Sequence, residues 1–302
     1  MSATAFTSLE LPEQIGLNIR TPLGFITQLR CAASSVQSPP IDYTFNTTTG
    51  RLYNRASGSR LLLVDRKVVP PNTVDEVLLL REGRPPHWLK PIPITDRHVI
   101  PGGADALPST VSRSWINQFS YIEERSIDGT VIPGLRSPQI GALYAVLAHW
   151  RVSDEPANIV MPTGTGKTET MLAILAKERL PKLLVVVPTD ALRDQLSRKF
   201  KSWGVLRQFG VIGDSAHFPV VGTLTKIPPS LVELADFFEP CNVVVTTMAI
   251  TGRAPEFIQA ALANTCSHLF IDEAHHIKAP NVGGAQRPLF TASGPPIHGN
   301  TL

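Results

Sequence analysis

Two short segments of the 302-residue chain carry residue types suited to handling a nucleoside triphosphate. The first is Met161-Pro-Thr-Gly-Thr-Gly-Lys-Thr168. A triphosphate must be met by several backbone N–H groups at once, and only a loop free of side-chain bulk wraps that closely. Thr163, Gly164, Thr165 and Gly166 form such a loop. Lys167 supplies a mobile positive charge for the β- and γ-phosphates, and the Thr168 hydroxyl is the expected magnesium ligand. The full GxxxxGK[ST] pattern would place Gly where Met161 stands, so the match is to its second half. The second segment, Phe270-Ile-Asp-Glu-Ala-His-His276, ends an apolar run in two acids. Asp272 suits the magnesium, through its water shell, and Glu273 suits taking a proton from the water that attacks the γ-phosphate. Each segment alone has a plainer reading: a glycine-rich turn joining strand to helix, and an acidic pair in a solvated loop or helix cap. In combination they describe a site for ATP and magnesium.

Such a site needs elements that bring its halves together. From Leu135 onward, apolar runs suited to buried parallel strands occur at Asn158–Met161, Leu183–Val187, Asn242–Val245 and His268–Ile271. Helix-period stretches lie between them, at Pro138–Trp150, Thr168–Leu180 and Ala191–Trp203. Strand and helix in alternation mean βαβ units, hence an α/β domain with a central parallel sheet, and ligands of such sheets bind beyond the carboxyl ends of the strands. Residues 1–114 read differently. Short β-type runs such as Leu61–Val64 and Val77–Leu80 stand between turn-rich stretches such as Asn46–Gly50, and no long helix-period pattern occurs. The expectation is a small strand-rich N-terminal accessory region over 1–114, a connecting segment over 115–134, and a nucleotide-binding domain over 135–302.

MPTGTGKTE, VVPTDALRDQL and FIDEAHH, in this order and spacing, resemble motifs I, Ia and II of superfamily-2 helicases of the DEAD/DEAH type. The doubled histidine and the MPTGTGKT wording are most similar to the branch containing the helicase subunits of type III restriction enzymes. The resemblance covers residues 135 to about 280 and none of 1–110. It implies a RecA-like P-loop fold and an ATP-dependent DNA helicase or translocase, acting on nucleic acid, DNA before RNA, beside nuclease or methyltransferase subunits. In Leu135-Arg-Ser-Pro-Gln139 it makes Gln139 the adenine contact and Arg136 a lesser one. It makes His275 the residue coupling the ATP site to a partner lobe; a helix-face histidine pair without a ligand is the other reading of His275-His276. Thr189 and Arg193, at the strand-to-helix junction of motif Ia, become candidates for phosphate of a nucleic acid, as does Thr247 of the Thr246-Thr247 pair. An ordinary helix N-cap is the alternative for that pair. The family's motif III has a counterpart in Phe290-Thr-Ala-Ser293, but the stretch after His276 is short and rich in Pro and Gly. A second RecA-like lobe does not follow, so the expectation is an incomplete or split motor. A non-catalytic nucleotide-binding or interaction module that docks on a separate second lobe is the competing view.

Composition bounds these readings. Hydrophobic residues make up 43% and charged residues 18%, which suits a folded protein and excludes wholesale disorder. The net charge of +3 is spread evenly, so charge alone does not argue for nucleic acid. No apolar run is long enough to cross a bilayer and the first residues lack a secretory pattern, so a cytoplasmic location without membrane contact is expected. Cys31, Cys241 and Cys266 stand far apart without a CxxC pair, which suits packed thiols rather than zinc or disulfides. The 27 prolines include pairs such as Pro70-Pro71 and Pro228-Pro229 that mark element ends.

Overall fold

The computed structural model describes residues 8–55, 58–90 and 108–273. It is a mixed α/β structure with several sheets. The chain begins with β1 (Leu9–Leu11), β2 (Gln14–Thr21), β3 (Gly24–Cys31), β4 (Ser34–Val36), β5 (Ile41–Phe45), β6 (Thr48–Asn54), β7 (Arg60–Val64), β8 (Glu76–Leu79) and β9 (His87–Lys90). There follow α1 (Pro108–Arg113), β10 (Arg125–Ile127), β11 (Thr130–Ile132), α2 (Ser137–Val152), α3 (Lys167–Glu178), β12 (Leu183–Val187), α4 (Asp190–Ser202) and β13 (Val221–Leu224). The described chain ends with α5 (Leu231–Phe238), β14 (Val243–Thr247), α6 (Met248–Arg253), α7 (Glu256–Thr265) and β15 (His268–Ile271). The described residues form two compact units, one holding 8–16, 29–55 and 58–90, the other 17–28 and 108–273.

The first unit is built on a five-stranded sheet in the order β5-β6-β7-β8-β9, antiparallel except for the β7/β8 pair. The turn-rich stretch after β5 becomes a tight reversal in which Asn46 and Thr47 both adopt positive φ, the twist a two-residue hairpin turn requires. Both faces of the sheet are covered. Leu52, Leu62, Val64, Val77 and Leu79 pack on one side, and Tyr53, Leu61 and Leu78 join Leu11 and Val36 on the other. One charged residue is sealed inside. Glu76 is fully buried and accepts two bonds from Arg55 Nη1 at 2.8 and 3.0 Å, with further donors from Gln14 Nε2 and Ser59 Oγ at 3.3 Å.

The second unit carries a six-stranded sheet ordered β15-β12-β14-β13-β3-β2. β15, β12, β14 and β13 run parallel, and every residue of β12 and β14 is buried, as strands covered on both faces must be. The sequence places residues 17–28 in the accessory region, yet here they form a hairpin whose β3 pairs antiparallel with β13, Gly24 opposite Leu224 and Thr27 opposite Val221. Gly24 is required there, because a Cβ would stand 2.0 Å from the Thr223 carbonyl oxygen. Trp115 of the connecting segment enters this unit's core: it packs edge-on against Trp203 at 5.0 Å, and both indoles donate to the His217 carbonyl. A correction concerns the run before the glycine loop. Asn158–Met161 is not a strand; Val160 is 96% exposed and only Met161 is buried. A strand needs a neighbour for its backbone groups, and among the described residues β15 is the sheet's last strand on that side. Among the described residues no helix is long and apolar enough to cross a membrane. Burial pushes the Cys266 thiol up to about 12 and the Cys241 thiol further still.

Candidate nucleotide site

The glycine loop turns into α3 at Lys167, and its two glycines make that turn possible. Gly164 has φ +81° and Gly166 φ +88°, a region that strains other residues. At Gly166 a side chain would also meet Gln139 Nε2 at 2.0 Å. Thr165 Oγ1 donates to the Pro162 carbonyl at 2.6 Å, closing the corner. Two residues at the start of α2 brace the loop from outside: the N-cap Arg136, whose Nη1 donates to the Gly164 carbonyl at 3.0 Å, and Gln139 in the first turn, whose Nε2 donates to the Gly166 carbonyl at 3.3 Å. Gln139 is buried, and its Oε1 accepts from the Arg136 backbone N–H at 2.8 Å. The loop carbonyls are thereby held by donors, while the N–H groups of α3's first turn have no intrahelical acceptor, the usual condition for anion binding at a helix start.

β15 delivers the acids to the same place. The Asp272 N–H donates to the Val186 carbonyl at 2.9 Å, which ties the strand's end to β12. Asp272 is 9% exposed; burial pushes its carboxyl up, the neighbouring Glu273 adds to this, and Lys167 opposes it. Lys167 Nζ donates to Glu273 Oε1 at 2.9 Å, and this bond raises the lysine's pKa. Both side chains of the pair remain 32% exposed. Glu273 holds φ +53°, uncommon for a residue with a Cβ. Thus Lys167, Asp272 and Glu273, joined in the sequence only by inference, meet in space, with Thr168 half-buried one residue along α3. The donor set fits a triphosphate with magnesium: a lysine, helix-start N–H groups, a hydroxyl and a buried carboxylate, hard oxygen ligands that would share the ion with phosphate and water. Among the described residues no cluster of three His, Cys, Asp or Glu side chains forms a separate metal cage.

The residues expected to meet nucleic acid have local structural roles. Thr189 is exposed and caps α4, accepting from the Leu192 N–H at 3.3 Å. Arg193 is buried to 8% exposure, its guanidinium held by Asp190 Oδ1 at 2.6 Å and Asp194 Oδ1 at 3.0 Å. Thr247 is 3% exposed and caps α6 through the Ile250 N–H at 3.4 Å, so the N-cap alternative describes its geometry. His275, His276 and Phe290–Ser293 lie outside the described residues. Sequence reading missed the Arg136 contact to the loop carbonyl and the bond from Lys199 Nζ to Glu169 Oε1 at 2.6 Å, which joins α4 to the first turn of α3. Glu169, directly after the glycine-loop threonine, was the available signal for the latter.

A glycine-cornered loop with its lysine, set against an acidic strand end on an α/β sheet, makes this unit a phosphate-loop module. The family model for the type III restriction enzyme, res subunit, matches residues 132–291, more than half of the chain. The chain belongs to that family, and its matched portion is an ATP-binding, helicase-like module. No curated protein matches the chain.

Proposed function

We propose that the second unit is the RecA-like ATP-binding lobe of a nucleic-acid helicase or translocase, DNA before RNA, working with a second RecA-like lobe and with nuclease or methyltransferase subunits of a restriction system. The observation that carries this reading is the 2.9 Å contact between Lys167 and Glu273, which puts the cation of the glycine loop and the acid of the strand end in one site. Lys167 holds and orients the β- and γ-phosphates, Gly164 and Gly166 let the backbone approach them, and Thr163 and Thr165 border the loop. Thr168 and Asp272 are the magnesium ligands, and the ion supplies charge neutralisation and alignment of the phosphates when bound. Glu273 accepts the proton of the attacking water once phosphate has drawn Lys167 away. Gln139 contacts the adenine edge or, from its observed position, braces the loop that holds the phosphates. His275 couples the site to the partner lobe, and Thr189, Arg193 and Thr247 line the nucleic-acid side.

Lys167→Ala tests this directly. The loss of a charged hydrogen-bond donor should weaken ATP binding roughly 10- to 100-fold in a titration with a fluorescent analogue, and unchanged affinity would overturn the reading. The internal engagement of Arg193 and Thr247 favours one alternative, a nucleotide-binding module without motor activity. ATP turnover of the wild-type chain with and without single-stranded DNA separates the two, since stimulated turnover is incompatible with the module.

A further inference from the structure

A different part of the second unit collects the chemistry of strand binding. Between α4 and the β13/β3 pair lies a groove of about 260 Å³ lined by Phe25, Thr27, Ser197, Arg198, Lys201 and Thr223. The pairing of Phe25 with Thr223 and of Thr27 with Val221 sets the floor, because residues directly opposite in a ladder share a face. The α4 side chains Ser197, Arg198 and Lys201 form the wall, and the Thr223 hydroxyl donates to Ser197 Oγ at 3.0 Å, linking wall to floor. Phe25 is 44% exposed, a large aromatic ring left open to solvent on a strand, and the Arg20 guanidinium lies 5.8 Å from its centre. Arg198 is exposed at the rim. The groove's acid, Asp194, is already bonded to Arg193. Cations, hydroxyls and an exposed aromatic ring therefore converge, with the nearby carboxylate engaged by Arg193.

We propose that this groove is a second nucleic-acid contact of the lobe, one that takes a single strand, with backbone phosphates on Arg198 and Lys201 and a base against Phe25. The charge complementarity favours phosphate, and the exposed ring favours an unpaired base over a stacked duplex. It rests on the reading of this unit as a nucleic-acid-acting lobe but uses none of the residues at α4's start. Arg193 is locked to two aspartates there, whereas Arg198 stands exposed further along the helix. With the strand laid along α4 and β3, the hairpin of residues 17–28 becomes part of the binding surface.

The test is fluorescence anisotropy of labelled oligothymidylate with the 302-residue chain over a range of salt concentrations. Arg198→Ala should lower affinity roughly five-fold near 0.1 M salt and reduce the slope of log affinity against log salt by about 0.7, the value for one single-strand phosphate contact. Phe25→Ala should weaken binding roughly 5- to 100-fold with the slope unchanged, since stacking releases no counterions. Affinity for the fluorescent ATP analogue should be the same in both variants, which shows that the fold and the nucleotide site are intact. Wild-type slope and affinity in both variants would overturn the proposal, as would preference for a duplex of equal length. A wild-type chain that binds ATP but no oligonucleotide would also overturn it while leaving the nucleotide site standing; failure of ATP binding would strike the nucleotide reading alone.

Discussion

Each unit of the molecule contains a glutamate bonded to a cation, and the two pairs are built for opposite purposes. In the first unit Glu76 is fully buried and Arg55 is 16% exposed, with Gln14 and Ser59 adding to the carboxylate's hydrogen bonds. Arg55 Nη2 donates onward to Ser34 Oγ at 3.2 Å, so the cation is also anchored. In the second unit Lys167 and Glu273 are each about a third exposed, and one sits at a helix start while the other follows a strand end. A sealed pair has nothing to exchange with; removing one partner strands a charge in low dielectric. An open pair at the mouth of an anion site is weakly held and can give up its lysine to a better anion. The residue types are alike, and burial together with the surrounding donors decides which pair is structural and which is available for chemistry.

That contrast can be broken in three places. The largest effect should follow Arg55→Ala, which leaves the Glu76 carboxylate uncompensated and should cost about 3–5 kcal/mol of stability by denaturant unfolding. A loss under about 1 kcal/mol would mean that water reaches Glu76 and the pair is not sealed. Glu273→Gln should change stability by less than about 1 kcal/mol and tighten binding of a non-hydrolysable ATP analogue up to about five-fold, because a competitor for Lys167 and a negative charge facing phosphate are both removed. A stability loss as large as that of Arg55→Ala would make the Lys167 pair structural too. The smallest effect concerns His268, at the start of β15 and 5.0 Å from the Trp150 ring, where burial lowers its pKa. A histidine whose folded pKa is depressed favours folding fully above its unfolded value near 6.5, and that contribution is lost as pH falls below it. His268→Leu should therefore flatten the fall in melting temperature between pH 7 and pH 5; an unchanged pH profile would show that the ring stays protonatable in the fold.

The nucleotide site was more legible in the sequence than the sheet that carries it. Loop, lysine and acidic pair are local patterns whose residue types already state their chemistry, and the helices after them were read to within about two residues, since their apolar spacing is periodic. Leu183–Val187 and His268–Ile271 became strands as read, because an unbroken apolar run suits a strand inside a parallel sheet. Asn158–Met161 looked equally strand-like, but an apolar run does not say whether a neighbour exists to bond it. Arg193 and Thr247 also have local partners, which a motif does not state because it indicates a position and not what folds against it; Asp190, three positions before Arg193, was visible at a spacing that reaches it on a helix, whereas the adjacent Asp194 gave no such signal. The hairpin at 17–28 was invisible in principle, since its partner strand is remote.

That remoteness has a consequence for how the molecule comes into being. Gln28 Nε2 donates to the Phe218 carbonyl 190 positions away, and Thr225 Oγ1 donates to the Leu23 carbonyl across 202. In a chain synthesised from its N-terminus the hairpin leaves the ribosome long before β13 exists, so this edge of the sheet closes late and contributes high contact order to the folding rate. Until it closes, β13 offers a row of unpaired backbone groups to any neighbouring chain. The stretch that defines the family, residues 132–291, is therefore not the folding unit: its sheet is finished by residues made well before it begins.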